Sequence, residues 1–178
     1  MLPDFTDISY LAQGTPIQRE VYQSLKALKI NEVLQAYHPI VVGTFPIDLA
    51  VEGSDIDVIC CCKHINTFEA IVRTTFAHLS HFQQYQIVIQ KLRTSISQFE
   101  HQGFTYEIFA QNKPTKAQEA YRHMVIEAQI LASKGEKFKR KVLKLKEKGY
   151  KTEPTFAKLL GLKGNPYEAL LQVSIAEL

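Results

Sequence analysis

Cysteine is scarce in this chain, and the three present are consecutive: Cys60, Cys61 and Cys62. Neighbours in a strand point to opposite faces, so these thiols are badly placed to bridge one another. An odd number also argues against a closed disulfide framework. No CxxC-like spacing with partner ligands is present, which removes an ordinary structural zinc site. What remains is a buried strand filled by small apolar side chains in a reducing compartment. Long apolar runs are missing too. None approaches the roughly 20 residues that span a bilayer, so no membrane partner is expected. The opening stretch MLPDFTDISYLAQ carries acids and no basic start, unlike a secretory signal. A cytoplasmic protein is the expectation. Internal repeats and low-complexity tracts are also absent.

What is there is ordinary in bulk and uneven in detail. The 178 residues suit one domain, or one domain with a small helical appendage, and can bury a core without staples. Apolar residues make up 46% and charged residues 22%, as in many globular proteins. The net charge is +3, yet the segment from Lys134 to Lys151 holds nine Lys or Arg against two Glu. Its apolar positions, Phe138, Val142, Leu145 and Leu143, form a stripe on a helix. Such a basic helix suits nucleic-acid phosphates, or equally a solvated face with snorkelling lysines.

Periodicity predicts a helix from Thr15-Pro16 to about Ala36, broken by His38-Pro39. A short strand, Ile40-Val41-Val42, ends at Gly43-Thr44. The turn-rich connection FPIDLAVEGS leads to a second strand over 55–62. A helix to about Leu79 is expected next, capped at Asn66 or Thr67. Strands follow over 85–92, 95–99 and 104–110, the last two as a hairpin around His101-Gln102-Gly103. Helices then cover 116–132, 136–148 with Gly149 as a stop, 155–160 and 166–176. The pattern is an α/β or α+β fold with a mixed sheet of about five strands. The expected division is a core over 1–112 and a helical region over 113–178.

Two carboxylates open the otherwise apolar second strand. Asp55 and Asp57 share one face, roughly 7 Å apart by the strand rise. Charges beside a core need a reason, and a divalent cation supplies one. A bare Asp-x-Asp is common, and a loop cap or an ion pair would explain it as well.

The context resembles the nucleotidyltransferase superfamily typified by DNA polymerase beta. That pattern is an apolar residue, Gly, Gly or Ser, about ten residues, then Asp, apolar, Asp or Glu, apolar. Here Val42-Gly43-Thr44, the connection FPIDLAVEGS and Asp55-Ile56-Asp57-Val58 supply it. Thr44 stands where the superfamily has Ser. The third carboxylate of the pattern, usually Asp, corresponds to Glu107 in the strand Phe104–Ala110. More broadly the chain is similar to a small bacterial family of nucleotidyltransferase-like proteins, through GTFPIDLAVEGSDIDVIC, YEIFAQ and the helix bearing Gln118, Tyr121, Arg122, His123, Met124 and Glu127.

The resemblance implies a catalytic and metal set of Asp55, Asp57 and Glu107 holding Mg²⁺ or Mn²⁺. It implies phosphate binding by Gly43 and Thr44, with Ser54, Lys91 and Arg93 as further candidates. Gln118, Arg122, His123 and Glu127 would line a substrate cleft, although a helix-surface His–Glu pair at i, i+4 is the plainer alternative. The partners implied are an NTP and an acceptor hydroxyl on a small molecule, a protein or RNA. Thr44 and Glu107 also leave open a non-catalytic module that holds a nucleotide or a partner. The basic helix leaves open direct nucleic-acid binding.

Overall fold

The computed structural model describes residues 2–174. A 3-10 turn over Ile8–Gln13 precedes helix α1, Pro16–Leu28. Pro16 sits in the first turn, where its missing N–H costs nothing. The Thr15 N–H donates to Gln18 Oε1 at 3.0 Å. The expected helix to Ala36 stops early. Lys29 adopts a left-handed conformation (φ 52°), and only α2, Ile30–Val33, and a 3-10 turn, Gln35–Tyr37, follow.

Five strands form one sheet in the order β1-β2-β5-β4-β3. They are β1 Ile40–Val42, β2 Ile56–Cys61, β3 Ser80–Ile89, β4 Leu92–His101 and β5 Phe104–Gln111, with α3, Ile65–Phe76, between β2 and β3. The β2–β5 pair is parallel and the other neighbours are antiparallel. The expected mixed sheet of about five strands is therefore present, but the hairpins differ. Strand β3 starts at Ser80 rather than Tyr85, and the chain turns at Gln90-Lys91, both with positive φ (51° and 66°). Such a tight turn usually announces itself with Asn or Gly, and neither residue is there to read.

Period-two alternation divides the sheet into two buried faces. Ile56, Val58 and Cys60 of β2 join Tyr106, Ile108 and Ala110 of β5 under α1 and α3. Cys60 and Cys62 are free and buried, and burial holds both thiols well above their usual range, to about 11 at Cys62. These cysteines are packing residues. Phe99 lies stacked between Phe76 and Tyr106, with ring centroids 5.1 Å apart on each side. Truncation by Phe99→Ala removes both stacks and leaves a void. The expected loss is about 3–5 kcal/mol in urea unfolding; a loss below about 1 kcal/mol would mean the stack closes over the gap.

The other face meets the helices that follow β5. Helix α4, Glu119–Lys146, is two helical segments joined across Gly135 (φ 70°), close to the break expected after Ala132. Helices α5, Thr152–Leu160, and α6, Pro166–Leu170, complete this layer. Ile40, Val42 and Ile59 pack there with Met124, Ala128, Ile130, Val142, Phe156 and Leu170. The last expected helix ran to Ala176, so its final two residues lie outside the described residues. None of the described helices is long and apolar enough to cross a membrane.

Candidate active site

The site forms on the α4 face, where two polar residues interrupt the apolar rows. Asp57 of β2 is paired in register with Glu107 of β5. Because these strands are parallel neighbours, the two carboxylates project side by side from the same face. Gln98 of β4 is opposite Glu107 and its Nε2 donates to Glu107 Oε2 at 2.9 Å. That bond fixes one oxygen of Glu107 and leaves the carboxylate's other lone pairs free to bind elsewhere.

Gly43 explains how the chain passes so close to Asp57. Its φ is +81°, a conformation side chains rarely adopt, and a Cβ there would collide with Asp57 Oδ2. The connection after it is no solvated loop. Phe45, Ile47 and Leu49 are buried in it. Gln18 Nε2 donates to Phe45 O at 2.8 Å, Leu49 N donates to Thr44 O at 2.9 Å, and Thr15 Oγ1 donates to Asp48 Oδ1 at 3.1 Å. Lys139 Nζ also donates to Asp48. The backbone of Gly43-Thr44 is thus clamped in front of the two acids.

A cavity of about 240 Å³ opens between this clamp and α4. Gly43, Thr44, Asp57, Glu107, Gln118, His123 and Glu127 all line it, as do Glu119 and Glu153. Residues from five separated stretches of sequence therefore meet at one place. Burial pushes the Asp57 carboxyl up to about 8, and the charges of Asp55, Glu107 and Glu153 push the same way. Desolvation raises Glu127 well above its usual value, with Glu153 adding repulsion and Lys146 opposing it. Buried carboxyls without a matching cation behave in this way.

Other sequence candidates lie apart from the cavity lining. Asp55 precedes β2 and acts on Asp57 through its charge, yet it is not among the lining residues. Ser54 closes the 51–54 turn, its Oγ accepting from Val51 N at 2.9 Å. Lys91 is exposed in the β3–β4 turn rather than at a strand end, and Arg93 donates to Gln86 Oε1 at 2.7 Å on the α3 face. Neither lines the cavity, although Ile89 and Gln90 just before them do. Arg122 is exposed, whereas His123 and Glu127, which could have been a helix-surface pair, are buried at 5% and 3% exposure.

Sequence reading missed Glu119, Glu153 and Lys146. Glu153 sits in the first turn of α5, 3.8 Å from His123 Nδ1. Lys146 reads as one more cation of the basic run, but it is partly buried, donates to Thr152 Oγ1 at 2.9 Å, and has its pKa lowered by desolvation. No local motif marks either residue. Only the return of α5 against α4 brings Glu153 to the cavity and covers Lys146 behind it.

Divalent-metal chemistry would depend on this donor set. Among the described residues, no three His, Cys, Asp or Glu side chains form a ready-made cage. The oxygens of Asp57 and Glu107 are nevertheless hard donors of the kind that Mg²⁺ or Mn²⁺ takes. Each charge acting on Asp57 is another carboxylate, so a bound cation would offset the repulsion. The residues fit such an ion, held by one pair of acids with Asp55 nearby.

The five-stranded mixed sheet with helices on both faces is a fold shared with solved nucleotidyltransferase structures. The chain resembles the Cid1 poly(U) polymerase bound to MgGTP, with a TM-score of 0.53 and 13% identity over 72% of this chain and 41% of that one. It resembles the GLD-2/RNP-8 complex at 0.54 and 16%, over 86% and 61%. For the polymerase core of TRAMP, an RNA surveillance complex, the values are 0.51 and 13%, over 92% and 50%. The chain spans about half the length of these proteins, and at such identities the likeness is one of fold. No protein of curated function matches its sequence. A family model does match residues 23–173: the chain belongs to the family described as domain of unknown function DUF4269.

Proposed function

We propose that this protein is a metal-dependent nucleotidyltransferase that moves a nucleoside monophosphate from an NTP to an acceptor hydroxyl. The observation that carries this reading is the in-register pair Asp57–Glu107 behind the clamped Gly43-Thr44 turn. Transfer of this kind requires positioning and charge stabilisation more than covalent help. An acceptor oxygen attacks the α-phosphorus, the α–β phosphoanhydride bond breaks, and pyrophosphate leaves. The Gly43 and Thr44 backbone, with the Thr44 hydroxyl, would hold the phosphate chain. Glu107, steadied by Gln98, would orient the acceptor and take its proton. Asp57, with Asp55 behind it, would anchor the metal, which neutralises the phosphates and aligns the reacting oxygens.

A non-catalytic nucleotide- or partner-binding module is the second reading. It is favoured by the position of Asp55 outside the cavity lining and by the absence of a three-carboxylate cage among the described residues. Pyrophosphate release separates the two. Each NTP with Mg²⁺ and a hydroxyl-bearing acceptor panel is expected to give release that EDTA abolishes. Metal-dependent NTP binding without any pyrophosphate would establish the module instead. Within the basic run, Lys139 is engaged with Asp48 and Lys146 faces inward, while Lys137, Arg140, Lys141, Lys144 and Lys148 are exposed. An RNA acceptor would lie along these exposed cations, and its binding would weaken steeply with salt.

A further inference from the structure

The helical wall of the cavity presents acceptors that nothing in the protein satisfies. Gln118 is 3% exposed, and its Nε2 donates to Cys60 O and Lys113 O, both at 2.9 Å. Two carbonyls therefore fix the amide orientation, and Gln118 Oε1 is left buried without a partner. About two and a half helical turns further on, Glu127 is also 3% exposed with a buried, unpartnered Oε1. Both residues line the cavity. Between them, His123 Nε2 lies 2.8 Å from Tyr167 O. A carbonyl can only accept, so Nε2 carries a proton, and Nδ1 faces Glu153 Oε1 at 3.8 Å.

Orphaned buried polar atoms cost about 1–3 kcal/mol each, and two on one wall point to a ligand that supplies donors. The charge balance says which kind. Acids outnumber cations on this lining: Lys113 is its one lysine, and Lys146 sits behind against Thr152. A phosphate would meet acceptors and negative charge here. Under the transferase reading it belongs at the Gly43-Thr44 end, away from this acidic wall.

We propose that the wall formed by Gln118, His123, Glu127 and Glu153 is the acceptor subsite and binds an ammonium group of a small, hydroxyl-bearing molecule. The inference rests on the transferase reading and deepens it by naming the acceptor's chemistry. An ammonium offers three donors and a positive charge. It would donate to the orphan oxygen of Glu127 and offset the charge of Glu127 and Glu153, while a hydroxyl of the same molecule would donate to Gln118 Oε1. The rest of such a molecule, about the size of one sugar ring, would reach across the cavity toward Glu107.

Calorimetric titration with glucosamine and with glucose tests this, because the two differ only by amine against hydroxyl. Glucosamine is expected to bind the wild-type protein at least about tenfold more tightly than glucose. Glu127→Gln and Gln118→Met should each weaken it by about tenfold; melting temperatures at or above that of the wild type would confirm that the variants fold. Asp57→Asn should lose Mg²⁺–NTP binding and retain glucosamine binding, so failure of the metal site and failure of the amine site read out separately. Equal binding of the two sugars overturns the proposal, as does binding of neither at millimolar concentration. It is also overturned if Glu127→Gln alters the choice among NTPs and leaves amine binding intact, since the wall would then read the base.

Discussion

Replacing Asp57 by asparagine is expected to stabilise the metal-free protein at pH 8 while abolishing its binding of Mg²⁺ with a nucleotide. The Asp57 carboxyl is raised from 3.8 to about 8 on folding, first by burial and then by Asp55, Glu107 and Glu153. A carboxyl raised in the folded state favours folding only while protonated, so its contribution disappears as pH climbs from about 4 toward 8. Asparagine keeps the shape and carries no charge. In EDTA, wild type and Asp57→Asn should melt together near pH 4 and diverge steadily up to pH 8. Asp57 keeps some contact with solvent, which screens part of the effect, and a gap on the order of 5 °C is the expected size. Added Mg²⁺ should raise the wild type at pH 8 and leave the variant unmoved. A variant that melts at or below wild type at pH 8 would refute the charge argument. Gain of stability with loss of binding is the signature of a site kept for function.

Substitution of Gly43 by alanine should be among the most damaging single changes in the turn. Two costs combine there. The backbone is at φ +81°, which costs a side-chain-bearing residue about 1–2 kcal/mol. The added methyl also strikes Asp57 Oδ2, so either the turn or the carboxylate must move. Gly53 is the matched control. It has nearly the same conformation, φ +79°, and nothing within 4 Å of the position its Cβ would take. Gly53→Ala should therefore pay the strain alone, with metal–nucleotide binding near wild type. Gly43→Ala should melt several degrees lower than Gly53→Ala and lose nucleotide binding by at least about tenfold. Equal behaviour of the two variants would show that the approach to Asp57 is of no consequence.

The pairing of these predictions shows why the site was partly readable. Asp55, Asp57, Gly43 and Thr44 lie within fifteen residues of one another, and their pattern depends on strand alternation and a tight turn, both local properties. Glu107 was reached through the resemblance, because its own strand alone does not distinguish it from an exposed acid on a hairpin. The end of β3 was less legible, because the two-residue turn at Gln90-Lys91 contains neither Gly nor Asn and leaves no local mark. His123 and Glu127 share a helix face by spacing alone. Whether that face met solvent or a cavity depended on what packed against it.

By itself the sequence determined the order of strands and helices, the acid pair at the head of β2, the glycine before it, and the packing role of the cysteines. Each follows from periodicity or from conformational preferences that act over a few residues. Only the tertiary structure decided that β5 pairs in parallel with β2, which sets Glu107 beside Asp57. It alone turned Lys139 and Lys146 from solvated cations into a clamp and a buried neighbour. It alone brought Glu153 to the cavity, nearly one hundred residues after Asp57. Such meetings arise from the burial of two apolar faces against one sheet, a global free-energy balance that no short stretch of the chain records.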